Sequence, residues 1–166
     1  MAHTLSGKPI LIAGASSGIG AATARACAAA GMPVALAARR RDKLEQVKAH
    51  CAAHNAPTTV LECDVTDPDP CTAAVNQAEA DLGPLHAAFA NAGYGQESPL
   101  LDMAEDDTRA MFETNLFGTL NIIRPAAAKM KERNAGHLLI CSSCLGLFPT
   151  PWYSVYSATK AAQHHM

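Results

Sequence analysis

The sequence predicts an α/β protein built on a doubly wound parallel sheet, and three observations carry the prediction. Short apolar runs alternate with helix-favouring stretches along the chain. The runs are apolar on both faces instead of at every second residue, as strands covered by helices on each side must be. The Gly-rich and polar motifs fall at the carboxyl ends of these runs, where an open parallel sheet has its ligand crevice.

Each element follows from its own stretch of chain. Residues 9–13, which end at Gly14, read as a strand, and the Ala-rich residues 19–30 as the helix after it. The alternation continues with a strand at 34–38, a helix at 41–54, a strand at 59–63, a helix at 70–82 and a strand at 85–90. A longer helical pattern covers 105–133, with Pro125 expected to kink it or to adjust its boundary, because proline lacks the amide hydrogen. A fifth strand at 137–141 and a helix opening near Ser154 follow. With no internal repeat, low-complexity tract or linker, residues 1–166 are expected to form a single domain.

Composition excludes several classes of function. Apolar residues make up 49% of the chain and charged residues only 17%, short of the roughly 25% usual for globular domains. Thirteen Lys and Arg against fifteen Asp and Glu leave a net charge of -2. That balance offers no excess to neutralise phosphates, so no nucleic-acid partner is expected. The apolar runs stop far short of the ~18 to 20 residues of a membrane span. Residues 1–7 lack a charged region followed by an apolar stretch, so no signal peptide is read and a cytoplasmic location is the default expectation. Cys27, Cys51, Cys63, Cys71, Cys141 and Cys144 are too sparse for a disulfide framework and read as reduced thiols.

The first strand runs into Gly14-Ala-Ser16-Ser17-Gly18-Ile19-Gly20 at a helix N-terminus. Gly14 permits the tight turn, Gly18 removes a side chain that would block a pyrophosphate, and Gly20 lets the helix pack on the sheet while its free N–H groups face the anion. Such a turn also occurs for structural reasons alone. After the second strand stand Arg39, Arg40 and Arg41, with no acidic residue at the strand end to accept from a ribose 2'-hydroxyl. Arg39 can pair with a 2'-phosphate, which favours NADP (NADPH) over NAD. Arg41 reads more simply as a solvated helix start.

Tyr156 and Lys160 are four apart on the last helix and share one face. An ammonium close by favours the phenolate form, so Tyr156 can trade a proton with a carbonyl or alcohol oxygen. Taken alone, such a pair is more often an exposed amphipathic helix. Ser143, at the end of the fifth strand, sits thirteen residues before Tyr156, within a loop's reach of the same crevice.

With Asn91-Ala92-Gly93 after the fourth strand and Asn115 in the long helix, these motifs resemble the short-chain dehydrogenase/reductase family in its single-domain form, from Lys8 to Lys160. The resemblance implies a Rossmann-like sheet in the order 3-2-1-4-5. It implies an NADP-dependent oxidoreductase that interconverts a carbonyl and an alcohol by hydride transfer. Tyr156 would be the acid/base, Ser143 would hydrogen-bond the substrate oxygen, Lys160 would bind the nicotinamide ribose and tune Tyr156, and Asn115 would support a proton-relay water. Asp64 and Val65 would bracket the adenine, Asn91 and Gly93 would line the adenosine path, and Ser16 with Arg39 would meet the 2'-phosphate. Tyr153 is excluded, because Ser157 and not a lysine stands four residues on.

Ala13 and Ala90 replace the family's usual Thr and Asn. The three-residue gap between Gly14 and Gly18 argues against the sugar-nucleotide epimerase relatives. Family members continue beyond the lysine into two further strands and a substrate-covering segment. This chain is therefore expected to be a fragment or shortened form lacking strands six and seven, with a homo-oligomer expected for the full-length form. The alternative reading is a catalytically inactive nucleotide-binding or dimerising fragment. The apolar loop from Leu145 to Trp152 points to a hydrophobic carbonyl or alcohol substrate.

No metal site is expected. Cys141-x-x-Cys144 ends a strand instead of opening a helix, and with His137 it makes no metal cluster, because alternate strand residues point to opposite faces and no second pair exists. His50, Cys51 and His54 could bind a metal on one helix face, but they and the pair His164 and His165 read more simply as surface helix positions.

Overall fold

A computed structural model describes residues 5–166. Residues 1–4, part of the stretch read for a leader, lie outside the described residues. Five strands form one parallel sheet in the order β3-β2-β1-β4-β5. They are β1 (Ile10–Ala13), β2 (Val34–Ala38), β3 (Thr58–Glu62), β4 (Ala87–Ala90) and β5 (His137–Ile140). Ile12 of the central strand stands between Leu36 and Phe89.

Alternate residues of the inner strands feed two separate cores. Leu11, Ala13, Ala35, Ala37, Ala88 and Ala90 face α3 (Pro68–Leu82) and α5 (Gly118–Glu132). Ile10, Ile12, Val34 and Leu36 face α1 (Gly18–Ala29) and α2 (Arg41–Ala52). Leu11, Ile12 and Leu36 are fully buried, and each such side chain contributes about 1.5–3 kcal/mol of burial energy. Strands apolar on both faces are thus a requirement of helices on both faces. β5 departs from this: Leu138 and Leu139 are each 44% exposed, and among the described residues the strand pairs with β4 alone.

Several boundaries differ from the sequence expectation. α2 stops at Ala52 instead of residue 54, because Asn55 adopts a left-handed φ of 54° that a helix cannot hold. α3 begins at Pro68 instead of Pro70: Asp67 accepts from the Asp69 N–H at 3.1 Å, and Pro68 occupies a first-turn position where no amide hydrogen is needed. β3 lies one residue earlier than expected, while β4 begins two residues later and β5 ends one earlier.

The long helical segment is interrupted, though not at proline. α4 (Glu105–Phe112) joins α5 through a π-helical turn at Glu113–Phe117, and α5 runs on through Pro125. At the turn, side chains compete for the backbone: the carbonyl of Asn115 accepts from the Thr119 hydroxyl and the Gln163 amide, each at 2.7 Å. Such π-turns occur frequently at functional sites. A 3-10 turn at Cys144–Gly146 then leads toward α6 (Ser154–His164). No helix among the described residues is long and apolar enough to cross a membrane.

Candidate active site

The carboxyl ends of the strands open into a crevice of about 670 Å³. At one end lies the turn between β1 and α1. A Cβ on Gly14, whose φ is +78°, would come within 2.7 Å of the Ala92 backbone. One on Gly20 would strike the Gly14 carbonyl and come within 2.7 Å of Asn91 Nδ2. Glycine is therefore required at Gly14 by its positive φ and the backbone after β4, and at Gly20 by the packing of α1 against the turn. Gly20 supports the crevice without lining it, whereas Gly14, Ser16, Ser17, Gly18 and Ile19 line it. Asn91 ties β4 to the turn by donating to the Gly14 carbonyl at 3.2 Å.

No side chain among the described residues caps α1, because the Ser17 hydroxyl serves another partner. Arg40 Nη2 donates to Ser16 Oγ at 2.9 Å and to Ser17 Oγ at 3.0 Å. An uncapped helix N-terminus beside a guanidinium has the polarity that favours an anion. The sequence expectation has Ser16 and Arg39 both meeting a 2'-phosphate, and it is Arg40 that bonds Ser16. Arg39 instead faces Asp64, with Nη1 3.8 Å from Oδ2, and its side chain is largely exposed. Both arginines line the crevice with Asp64, Val65, Asn91, Ala92 and Gly93.

At the other end lie Ser143, Tyr156 and Lys160. Ser143 opens the 3-10 turn after β5, and its Oγ accepts from the Leu145 N–H at 3.2 Å, leaving the hydroxyl proton free to be donated. The Tyr156 hydroxyl has no hydrogen-bond partner among the described residues, and the Lys160 ammonium stands 5.6 Å from its ring centre. Tyr153, by contrast, donates to Glu97 at 3.2 Å and sits outside the crevice lining; that carboxylate raises its phenol above the ordinary range. Lys160 is buried, donating to the Cys141 carbonyl at 2.8 Å and to Gln163 Oε1 at 2.9 Å. Burial lowers its pKa from the ordinary lysine value.

Asn115 is fully buried and does not line the crevice. Its side chain clamps the loop after β4, accepting from Tyr94 N at 2.9 Å and donating to the Tyr94 carbonyl at 2.8 Å and to Thr159 Oγ1 at 3.0 Å. Its main-chain oxygen accepts two hydrogen bonds at the π-turn, from Thr119 Oγ1 and Gln163 Nε2.

The sequence reading missed Ala38, Cys63, Tyr94, Thr114, Cys141 and Ser142, all of which line the crevice. Tyr94 and Ser142 adjoin residues that were singled out, and that adjacency was the available signal. It also missed Gln163, whose signal was a polar residue one helical turn beyond Lys160. All six cysteines are free thiols. Cys63 and Cys71 lie 3.6 Å apart, sulfur to sulfur, beneath the Asp64 end of the crevice. Among the described residues no group of three or more His, Cys, Asp and Glu is placed to hold a metal ion.

Comparison with known proteins agrees with this geometry. An uncharacterized oxidoreductase of Listeria monocytogenes is 38% identical over 159 residues, which are 96% of this chain and 64% of that protein. The alcohol dehydrogenase of the archaeon Thermococcus sibiricus, complexed with 5-hydroxy-NADP, superimposes with a TM-score of 0.90 at 28% identity, over 95% of this chain and 67% of that one. A short chain dehydrogenase/reductase of Burkholderia phymatum in complex with NAD gives 0.93 at 29% identity, over 98% and 58%. The chain thus spans under two thirds of the Listeria relative's length. The short chain dehydrogenase family model matches residues 8–166, so a crevice joining a Gly-rich turn to a Tyr and Lys pair belongs here to a member of the short-chain dehydrogenase family.

Proposed function

We propose that this protein is an oxidoreductase that interconverts a carbonyl and an alcohol using a nicotinamide dinucleotide, with NADP preferred. The observation that carries the reading is the convergence of Ser143, Tyr156 and Lys160 in one crevice with the uncapped N-terminus of α1. The residues fit the cofactor: the turn around Gly14 and Gly18 would hold the pyrophosphate, Asp64 and Val65 the adenine, Asn91 and Gly93 the ribose path. Arg40, already fixed on Ser16 and Ser17, is the better candidate for a 2'-phosphate than Arg39, which Asp64 partly neutralises. One relative is complexed with an NADP derivative and another with NAD, so the preference rests on these side chains.

The bound dinucleotide supplies or accepts the hydride. Ser143 donates its free hydroxyl proton to the substrate oxygen and holds it against Tyr156. Tyr156 gives its phenolic proton to that oxygen in the reducing direction and takes it back in the oxidising one. Lys160 favours the phenolate left behind and would hold the ribose through its remaining N–H. Leu147, Phe148 and Trp152, exposed on the loop that follows Ser143, suit an apolar substrate.

The test adds NADPH to the protein and follows thermal stabilisation and absorbance loss with a panel of apolar ketones. Oxidation above the enzyme-free control is expected, and Tyr156→Phe should abolish it while leaving the stabilisation by NADPH intact. Unchanged turnover in Tyr156→Phe refutes the role given to Tyr156. Stabilisation without any turnover favours a nucleotide-binding role alone.

A further inference from the structure

Lys160 is 4% exposed, a position in which an ammonium needs acceptors for the hydrogen bonds it would make in water. It has three protons to place. Two are committed, to the Cys141 carbonyl at 2.8 Å and to Gln163 Oε1 at 2.9 Å. Gln163 itself is 5% exposed and aligned with Val155 and Thr159 on the inner stripe of α6. Its two amide protons go to the Asn115 carbonyl at 2.7 Å and to Thr119 Oγ1 at 2.8 Å. This orientation has no workable flip: exchanging oxygen and nitrogen would set the amide NH₂ against the ammonium and the amide oxygen against a carbonyl.

We propose that Gln163 is the positioning residue for Lys160, its carboxamide bridging the ammonium to the Asn115 carbonyl. The proposal rests on the reading of Tyr156 and Lys160 as the reacting pair. A carboxamide donates and accepts in fixed places. Gln163 therefore fixes where the Lys160 ammonium sits. The arrangement also leaves the third ammonium proton directed by two fixed bonds.

The surroundings of Lys160 isolate the effect. Its own helix offers Tyr156, the residue after β5 offers the Cys141 thiol, and through Gln163 the lysine meets the neutral Asn115 of the π-turn and Thr119 of α5. His164, the nearest imidazole on α6, is engaged with the Ser143 carbonyl at 2.9 Å. Among the described residues no carboxylate influences the lysine, and Gln163 supplies its one side-chain acceptor.

The test is a titration of the Lys160 side chain by ¹³Cε NMR, the resonance assigned by its loss in Lys160→Arg. Gln163→Met keeps length and removes the acceptor, and the Lys160 midpoint should fall by about one pH unit, the size expected for one charge-assisted hydrogen bond. Gln163→Glu supplies a charged acceptor and should raise the midpoint. If the Met variant does not fold, the upward movement in the Glu variant decides the matter. A midpoint unmoved in the folded variants overturns the proposal and leaves Gln163 a packing residue. The titration requires no turnover, so failure of the Tyr156→Phe test would defeat the catalytic reading without touching this result.

Discussion

Replacing Arg40 by Ala, with Arg39→Ala beside it, separates the two arginines that adjoin the cofactor crevice. Arg40 is held by two serine hydroxyls at 2.9 and 3.0 Å, so its side chain is already ordered where the 2'-phosphate would arrive. A charge-assisted hydrogen bond is worth about 1.5–3 kcal/mol. The open crevice calls for the lower part of that range, a loss of about tenfold or more in NADPH affinity at 1.4 kcal/mol per decade. Arg39 is 74% exposed at its side chain and lies 3.8 Å from the Asp64 carboxylate. Exposed pairs of this kind are worth about 0–1 kcal/mol, so Arg39→Ala should cost fivefold at most. Neither change should alter NADH binding by much. The assay is a fluorescence titration of NADPH and NADH at fixed ionic strength, because screening weakens both contributions. A larger NADPH loss in Arg39→Ala than in Arg40→Ala, or equal losses for NADPH and NADH, refutes the assignment.

Three further outcomes follow from other parts of the molecule. Gly20→Ala forces a Cβ onto the Gly14 carbonyl and Asn91; overpacking of about 1–3 kcal/mol should lower the melting temperature by about 2–12 °C in a calorimetric scan. Asn115→Ala strips three hydrogen bonds from Tyr94 and Thr159, and should destabilise by about 1–3 kcal/mol in urea unfolding, with the exposed Phe117→Ala nearly neutral as control. Burial, His137 and Lys8 hold the His86 pKa below its ordinary 6.5. Between that lowered value and 6.5 the unfolded chain binds the proton that the folded protein resists, so stability falls as pH drops through this window. His86→Gln should flatten that part of the curve of unfolding free energy against pH, and an unchanged slope would count against the cause given.

The amino-acid sequence by itself determined the alternating α/β architecture, since apolar runs on both strand faces admit few other arrangements. It also determined the Gly14 turn, the Tyr156 and Lys160 pair, and Ser143, because their chemistry is written in short spacings: a strand-to-helix turn, one helical step, one loop. The tertiary structure decided what short spacings cannot carry. Which of two adjacent arginines reaches Ser16 depends on a contact spanning 24 residues. The interruption at Glu113–Phe117, in place of Pro125, and the bridge from Gln163 to Asn115 depend on groups 44 to 48 residues apart meeting in a buried layer. Buried polar groups must find partners, and those partners are chosen by how α6 packs against the π-turn, which no local pattern records.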